Sequence, residues 1–172
     1  GIMISTGTYV IIHLMYTVFT GFFQQWTLYF AIISIFTMSV GNLLAYQQHD
    51  VKRLLAYSSV AHMGYIFSGI STGTSLGLEG AYFHILNHAF MKGLAFLCVG
   101  AYTFQSGVRD IDALKAIRRK MPITTICLAI SLFALMGIPP FSGFISEVLL
   151  FQSNTAIGKW FHAGAILLHR LR

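Results

Sequence analysis

One apolar run, Ala81–Phe104, places titratable side chains where a membrane-spanning helix would bury them. It holds His84, His88 and Lys92 at i, i+4 and i+8, and about 24 residues suit a span at ~1.5 Å rise per residue. Successive i+4 positions lie ~40° apart around a helix, so the three side chains form one drifting polar stripe. A lysine in mid-span costs at least a few kcal/mol unless it faces helices, water or a counter-charge. The stripe therefore predicts part of a proton or ion path.

The composition provides too few charges to cover a water-soluble surface. The 172-residue chain is 56% hydrophobic and 9% charged, whereas soluble domains are about 25% charged. These proportions predict an all-α polytopic membrane protein. The net charge of +6 does not indicate nucleic-acid binding, because the basic residues lie in short connectors rather than along a groove.

The apolar runs predict about six transmembrane helices, one of which is broken. The predicted spans are Ile2–Thr20, Trp26–Tyr46, Leu54–Ile70, Ala81–Phe104, Pro122–Phe151 and Ile157–Leu168. The fifth is interrupted at Gly137–Pro140, where Pro139 and Pro140 remove two backbone donors. Broken helices are tolerated beside protein or a water-filled cavity, so the break also favours a path. A plain proline kink is the alternative.

The chain begins at Gly1, and its first run lacks the basic region and small-residue cleavage site of a signal peptide. That run has the pattern of a helix entered partway. We therefore expect residues 1–172 to be a single transmembrane domain that is a fragment of a larger subunit.

Basic residues alternate between successive connectors. The connector after the second span holds Lys52 and Arg53, the one after the fourth holds five Lys or Arg, and the C-terminal tail is also basic. The first connector is uncharged and the third carries only Glu79. Because basic loops stay on the cytoplasmic side of a membrane, the pattern predicts that both chain ends are cytoplasmic.

Only Lys92 and Glu147 lie well inside the predicted spans as charged residues. We expect them to face a shared polar interior, either as a pair or through water; an ion pair that joins two helices is the alternative. Histidine titrates near neutral pH, and loss of water favours the neutral forms of lysine and glutamate. A stripe of His84, His88 and Lys92 that faces Glu147 is thus suited to proton transfer.

The remaining candidate residues predict no other chemistry. His13, His62 and His162 are each isolated, so we expect structural or interfacial roles for them. His84 and His88 have metal-ligand spacing without an evident third ligand, and no protease motif surrounds them. Cys98 and Cys127 form neither a CxxC pair nor a zinc spacing, and we interpret them as buried small residues. We expect no metal, no catalytic residue and no cofactor in this chain.

Several stretches resemble one family. Asp50–Tyr65 (DVKRLLAYSSVAHMGY) resembles the most recognisable stretch of the antiporter-like subunits of respiratory complex I, and Phe83–Leu97 (FHILNHAFMKGLAFL) is similar to their central lysine helix. Later matches are Arg109–Ile111, Lys120–Thr124 and Gly137–Phe144, and the resemblance fades after Ser153. The family includes the counterparts of these subunits in membrane-bound nickel–iron hydrogenases and formate hydrogenlyase, and the large subunits of multisubunit sodium/proton antiporters.

The resemblance implies the second half of an inverted-repeat membrane fold with a central hydrophilic axis. Lys92 would be the axis lysine, with His84 and His88 as its neighbours. Glu147 would be the terminal ionisable residue on a discontinuous helix, as in one complex I branch and the formate-hydrogenlyase-like branch. The first half-repeat and its glutamate–lysine pair are missing, and Ser5 stands where several relatives carry lysine.

The resemblance also implies a function and partners. We expect a proton-translocating subunit of a redox-driven complex, resembling NADH:quinone oxidoreductase or an energy-converting hydrogenase, with no redox step on the chain itself. Its expected location is a prokaryotic cell membrane or an organelle inner membrane. Expected partners are other membrane subunits, a peripheral arm of iron–sulfur or hydrogenase subunits, and lipid. The alternative is a subunit of a multisubunit cation/proton antiporter without a redox partner; a purely structural scaffold is disfavoured by the buried titratable stripe.

Overall fold

The computed structural model describes residues 2–107, 109–111, 119–156 and 158. Over these residues the regular structure is helical, as the sequence predicts. The helices are α1 (Ile2–Thr17), a 3-10 turn (Thr20–Phe22), α2 (Phe23–Tyr46), α3 (Val51–Ser71), α4 (Ser75–Ser106), α5 (Pro122–Leu135) and α6 (Ser142–Ala156). The predicted sixth span, Ile157–Leu168, lies outside the described residues.

Two of the described helices are long and apolar enough to cross a membrane by length and composition. They are Gln25–Tyr46, with mean hydropathy 1.8, and Ser75–Ser106, with mean hydropathy 1.3. Helix α5 is apolar but has only 14 residues, because it ends at the predicted interruption. Helix α1 is apolar but has only 16 residues, and α3 and α6 carry more small and polar residues.

Side-chain caps make α3 and α4 begin earlier than the apolar runs indicate. Asp50 Oδ1 accepts hydrogen bonds from the backbone N–H groups of Lys52 at 2.8 Å and Arg53 at 3.2 Å. Thr74 Oγ1 accepts one from Gly77 N–H at 3.1 Å. Such caps satisfy N–H groups that have no partner within the helix, so polar residues extend each helix beyond its apolar part. As a result Glu79, which we expected in a connector, lies in α4.

The predicted break between α5 and α6 is confirmed. Gly137 adopts a left-handed conformation with φ of 62°, and the Pro139–Pro140 peptide bond is cis. The two helices then return close to one another, since a Cβ added at Gly143 would overlap the carbonyl of Ala134. The chain therefore leaves helical geometry over a few residues and resumes it in contact with the preceding segment.

Helix α4 lies at the centre of the described bundle and packs against α1, α3, α5 and α6, while α3 also packs against α2. The α2–α3 contact depends on small residues. A Cβ added at Gly41 would lie 2.7 Å from Ala61 N, and one added at Gly64 would lie 2.8 Å from Met38 N. Close approach of these backbones fixes α3, and with it the face that α3 turns toward α4.

Candidate functional site

Helices α3 and α4 carry polar side chains on the faces that pack together. The spacing on α3 is i, i+4 and i+7, and on α4 it is i, i+4 and i+8, so each set lies along one side of its helix. We call these six residues the polar seam: Ser58, His62 and Tyr65 on α3, and His84, His88 and Lys92 on α4. All are buried except Ser58, which is half-buried. The helices run antiparallel, so Ser58 meets Lys92 while His62 meets His84 and His88.

Lys92 occupies one end of the polar seam and is fully buried. Its ammonium group donates to the backbone oxygen of Leu55 at 3.0 Å and, through a short hydrogen bond, to Ser58 Oγ. Within the part of the chain that the structure describes, these α3 oxygens are its partners, and no carboxylate lies within ion-pair distance of it. The direct pair with Glu147, one of the two expected arrangements, is therefore not present. The other, a link through water, stays a prediction.

Three histidine rings meet in the middle of the polar seam. His62 Nδ1 lies 3.1 Å from His84 Nε2, and the two rings stack with centroids 5.3 Å apart. The His88 ring lies 5.4 Å from that of His62. We expected His62 to be isolated, and this expectation is wrong, because the antiparallel packing of α3 on α4 brings it against both stripe histidines.

The histidines connect to α6 through Ser146. His84 Nδ1 lies 3.0 Å from Ser146 Oγ, and the Ser146 hydroxyl donates to Gly143 O at 2.9 Å. Since a hydroxyl has a single proton to donate, Ser146 accepts from His84 Nδ1–H in this arrangement. A neutral His84 then accepts at Nε2 from His62 Nδ1–H. The result is a directed hydrogen-bond chain from His62 through His84 to Ser146.

His88 connects the polar seam to α1. Its Nδ1 lies 3.3 Å from Ser5 Oγ, and its Nε2 is buried with no hydrogen-bond partner among the described residues. Ser5 also lines a 490 Å³ groove between α1 and α4, together with Tyr9 and Tyr82. Ser5, where the resemblance implies a lysine in several relatives, therefore contacts the histidines through a hydroxyl.

Glu147 is buried on α6, and only 2% of its surface is exposed. It packs against the helix break, since a Cβ added at Gly137 would overlap its Oε2. Tyr65 lies within electrostatic range of Glu147, and the Tyr65 ring also contacts the rings of His62 and His84. Glu147 therefore lies near the Tyr65 end of the polar seam, on the same helix as Ser146.

Sequence reasoning missed four members of this site: His62, Tyr65, Ser58 and Ser146. A usable signal was present in α3, because Ser58, His62 and Tyr65 repeat at helical spacing within a predicted span. The signal was overlooked because serine and tyrosine are ordinary in small-residue membrane helices. Among the described residues no cluster of three or more His, Cys, Asp or Glu could hold a metal ion.

Comparison with known proteins gives consistent matches. The family model described as "NADH:quinone oxidoreductase/Mrp antiporter, TM" matches residues 1–171. The chain is 35% identical over 156 residues to NAD(P)H-quinone oxidoreductase subunit 2 of Microcystis aeruginosa, covering 91% of this chain and 30% of that protein. It is 37% identical over 153 residues to F(420)H(2) dehydrogenase subunit N of Methanosarcina mazei, covering 83% of this chain and 31% of that protein.

Solved structures share the fold. The Mrp complex from Dietzia sp. has a chain with a TM-score of 0.89 at 24% identity, covering 97% of this chain and 31% of that chain. An archaeal membrane-bound sulfane sulfur reductase has one with a TM-score of 0.88 at 27% identity, covering 99% and 36%. Respiratory complex I from Thermus thermophilus has one with a TM-score of 0.69 at 30% identity, covering 83% and 32%.

This chain thus spans about a third of the length of the relatives it matches. The family match, however, extends over nearly all of its residues and includes both the polar seam and the helix break. The chain belongs to the antiporter-like membrane subunit family of NADH:quinone oxidoreductases and Mrp antiporters.

Proposed function

We propose that this chain carries one segment of a proton path in a redox-driven membrane complex, and that the path follows the polar seam to Glu147. The observation that carries the proposal is the buried chain His62–His84–Ser146, which links three helices with hydrogen bonds of 3.1 and 3.0 Å. Buried hydrogen bonds alone would stabilise a core. Titratable rings at two consecutive positions of the chain make it suited to proton transfer.

The hydrogen bonds define how a proton moves along the chain. A proton that arrives at His62 Nε2 allows Nδ1–H to pass to His84 Nε2. His84 then releases its Nδ1–H to Ser146 Oγ as the Ser146 hydroxyl gives up its own proton. Ser146 and Glu147 are consecutive on α6 and point about 100° apart, so we propose that water carries this last proton to Glu147. Each ring is left with its proton on the other nitrogen, so the rings must reset before the next transfer.

Lys92 and His88 control access to this chain. A charged Lys92 repels a second positive charge on the neighbouring histidines, so we propose that it limits the seam to one excess proton at a time. His88 contacts Ser5 on α1, which places it between the histidines and the groove beside α1. In this proposal the rest of the path, on segments beyond the described residues or on partner subunits, connects through Ser5 and Glu147.

The relatives support a redox-driven complex over a simple antiporter. Two relatives with identities above 30% are, by name, a subunit of a quinone oxidoreductase and a subunit of an F(420)H(2) dehydrogenase. Other membrane subunits and a peripheral redox arm are the partners we propose on this basis. The Mrp complex shares the fold at 24% identity, so a cation/proton antiporter subunit is the second candidate.

Lys92→Met tests the proposal in inverted membrane vesicles that carry the assembled protein. We expect proton uptake driven by NADH or reduced F420 to fall about tenfold or more, since the only cation of the polar seam is removed while its volume is kept. Lys120→Met is the matched control, because Lys120 is exposed in a connector. Unchanged uptake with Lys92→Met in an assembled complex contradicts the proposal.

A second measurement in the same vesicles separates the two candidate functions. With no electron donor present, a redox-driven subunit should give no proton flux when sodium is added. Sodium-dependent proton flux under these conditions would instead identify a cation/proton antiporter subunit.

A further inference from the structure

The basic connectors form a cavity at one end of α4, where α4 meets α3. Two backbone hydrogen bonds join the connectors, from Val51 N–H to Arg109 O and from Ile111 N–H to His49 O, both at 3.1 Å. This pairing holds the segment before α3 against the segment after α4. It places Lys52 and Arg109 at the same cavity, although they are far apart in sequence.

The cavity has a volume of about 320 Å³, which is room for roughly ten water molecules at about 30 Å³ each. Its described lining contains two cationic side chains and no carboxylate: Lys52, Gly100, Thr103, Phe104, Gly107 and Arg109. Asp50 and Asp110 are the acids nearest along the chain to Lys52 and Arg109, and neither lines the cavity. A site of this size and charge favours an anionic group such as a phosphate.

An apolar surface leads directly to this cavity. Helix α4 exposes large hydrophobic side chains at spacings of three, four or seven residues, so they lie along one side of the helix. We call the part of this surface beyond the Ser5 groove the α4 apolar stripe: Leu94, Leu97 and Phe104. Phe104, at its end, is 92% exposed and also lines the cavity.

The length of α4 places the cavity at the level of lipid headgroups. Its 32 residues give about 48 Å at ~1.5 Å per residue, longer than the ~30 Å hydrocarbon core of a bilayer. When α4 is centred in a bilayer, its last turn projects beyond the acyl chains, while the residues before it lie among them. Basic residues at that depth attract anionic lipid.

We infer that Lys52 and Arg109 form a binding site for the headgroup phosphate of an anionic phospholipid whose acyl chains lie along the α4 apolar stripe. The α4 carbonyl end points toward the site and opposes an anion, but a helix end carries only about half an elementary charge, against two full cations. The continuous apolar surface favours a lipid over a free phosphate, which would have no use for it.

The test uses the protein in its native assembly, purified and placed in nanodiscs. One set is pure phosphatidylcholine, and the other is an equimolar mixture of phosphatidylcholine and phosphatidylglycerol. Phosphatidylglycerol retained after detergent extraction is measured by native mass spectrometry for the parent, Lys52→Gln, Arg109→Gln and the double variant. Arg53→Gln is the matched control, since Arg53 is the exposed neighbour of Lys52 and does not line the cavity.

We expect each single variant to bind phosphatidylglycerol about fivefold more weakly and the double variant about 25-fold, with no change for Arg53→Gln. Retention by the parent should also decline as salt is raised, and retention by the double variant should not. Parental retention by the double variant overturns the site. If soluble glycerol phosphate is retained by the parent as well as phosphatidylglycerol is, the lipid assignment is overturned in favour of a free phosphate site.

Discussion

The two buried charged residues of the described chain, Lys92 and Glu147, are accommodated in different ways. Lys92 lies in the middle of an uninterrupted helix and donates to Leu55 O and Ser58 Oγ of the helix opposite. Glu147 lies against a segment where the helix is broken and where Gly137 leaves room for its carboxylate. Lys92 is thus hydrogen-bonded to an intact helix, whereas Glu147 lies where helical structure is interrupted.

Hydrogen-bond capacity explains this difference. A helical carbonyl oxygen keeps a second lone pair after it has accepted its helix bond, so a buried ammonium can bind to an intact helix. A helical N–H has one proton, which the helix already uses, so an intact helix has no donor for a buried carboxylate. A buried acid therefore needs a break or polar side chains nearby, and Glu147 packs against the break at Gly137.

Gly137→Ala tests how Glu147 is accommodated and should have the largest effect on stability and proton uptake. The new methyl group would overlap Glu147 Oε2, and alanine is strained at a φ of 62°, so we expect a loss of about 1–3 kcal/mol in stability. Proton uptake should fall at least as far as with Lys92→Met. Thermal unfolding and vesicle proton uptake measure the two effects.

Gly93→Ala is the control for Gly137→Ala, because nothing lies within 4 Å of a Cβ added at Gly93 and its φ is not positive. Alanine there should be neutral or slightly stabilising. If both alanine variants had the same stability and proton uptake, the proposal that Gly137 leaves room for Glu147 at the break would be wrong.

His62→Gln tests the connection between the two halves. Glutamine keeps a hydrogen-bonding side chain toward His84 but cannot take up and release a proton, so we expect proton uptake to fall about tenfold while the complex assembles normally. His13→Gln should leave uptake unchanged, because His13 is exposed and stacks on Tyr9 instead. Normal uptake with His62→Gln would remove His62 from the path and leave it a packing role.

Ser58→Ala tests how Lys92 is accommodated and should have the smallest effect on stability and proton uptake. Lys92 would lose one of its two described acceptors and keep Leu55 O, which predicts a loss of about 1–2 kcal/mol in stability and a reduction in uptake of a few fold. Ser34→Ala is the matched control, since the buried Ser34 hydroxyl on α2 donates to Ala31 O, which is not a partner of Lys92. Equal effects of the two variants would mean that Ser58 does not support Lys92 specifically.

The sequence predicted the helical class, the break at Gly137–Pro140 and the burial of Lys92, His84, His88 and Glu147. These predictions depend on local chemistry: apolar runs exclude water, prolines end helices, and i, i+4 spacing sets a face. Helix starts were less accurate, because Asp50 and Thr74 caps recruit polar residues into α3 and α4. The proton-path roles of the four titratable residues remain predictions.

His62 shows where local reasoning ended. The spacing of Ser58, His62 and Tyr65 in α3 could have indicated a polar face, but it could not indicate which residues of other helices that face meets. The antiparallel alignment of α3 on α4 decides that it meets His84 and His88, and the position of α6 decides that Ser146 continues the chain.

The sequence by itself determined which residues avoid lipid, since that depends on the free energy of burying each side chain. Only the tertiary structure decided which buried polar groups meet, because hydrogen bonds act over about 3 Å and depend on the relative rotation and shift of whole helices. Those are set by contacts between distant segments, such as Gly64 against Met38. For this reason the sequence predicts that Lys92 and Glu147 are both buried, but only the tertiary structure shows that Lys92 binds oxygens of α3 while Glu147 packs against the helix break.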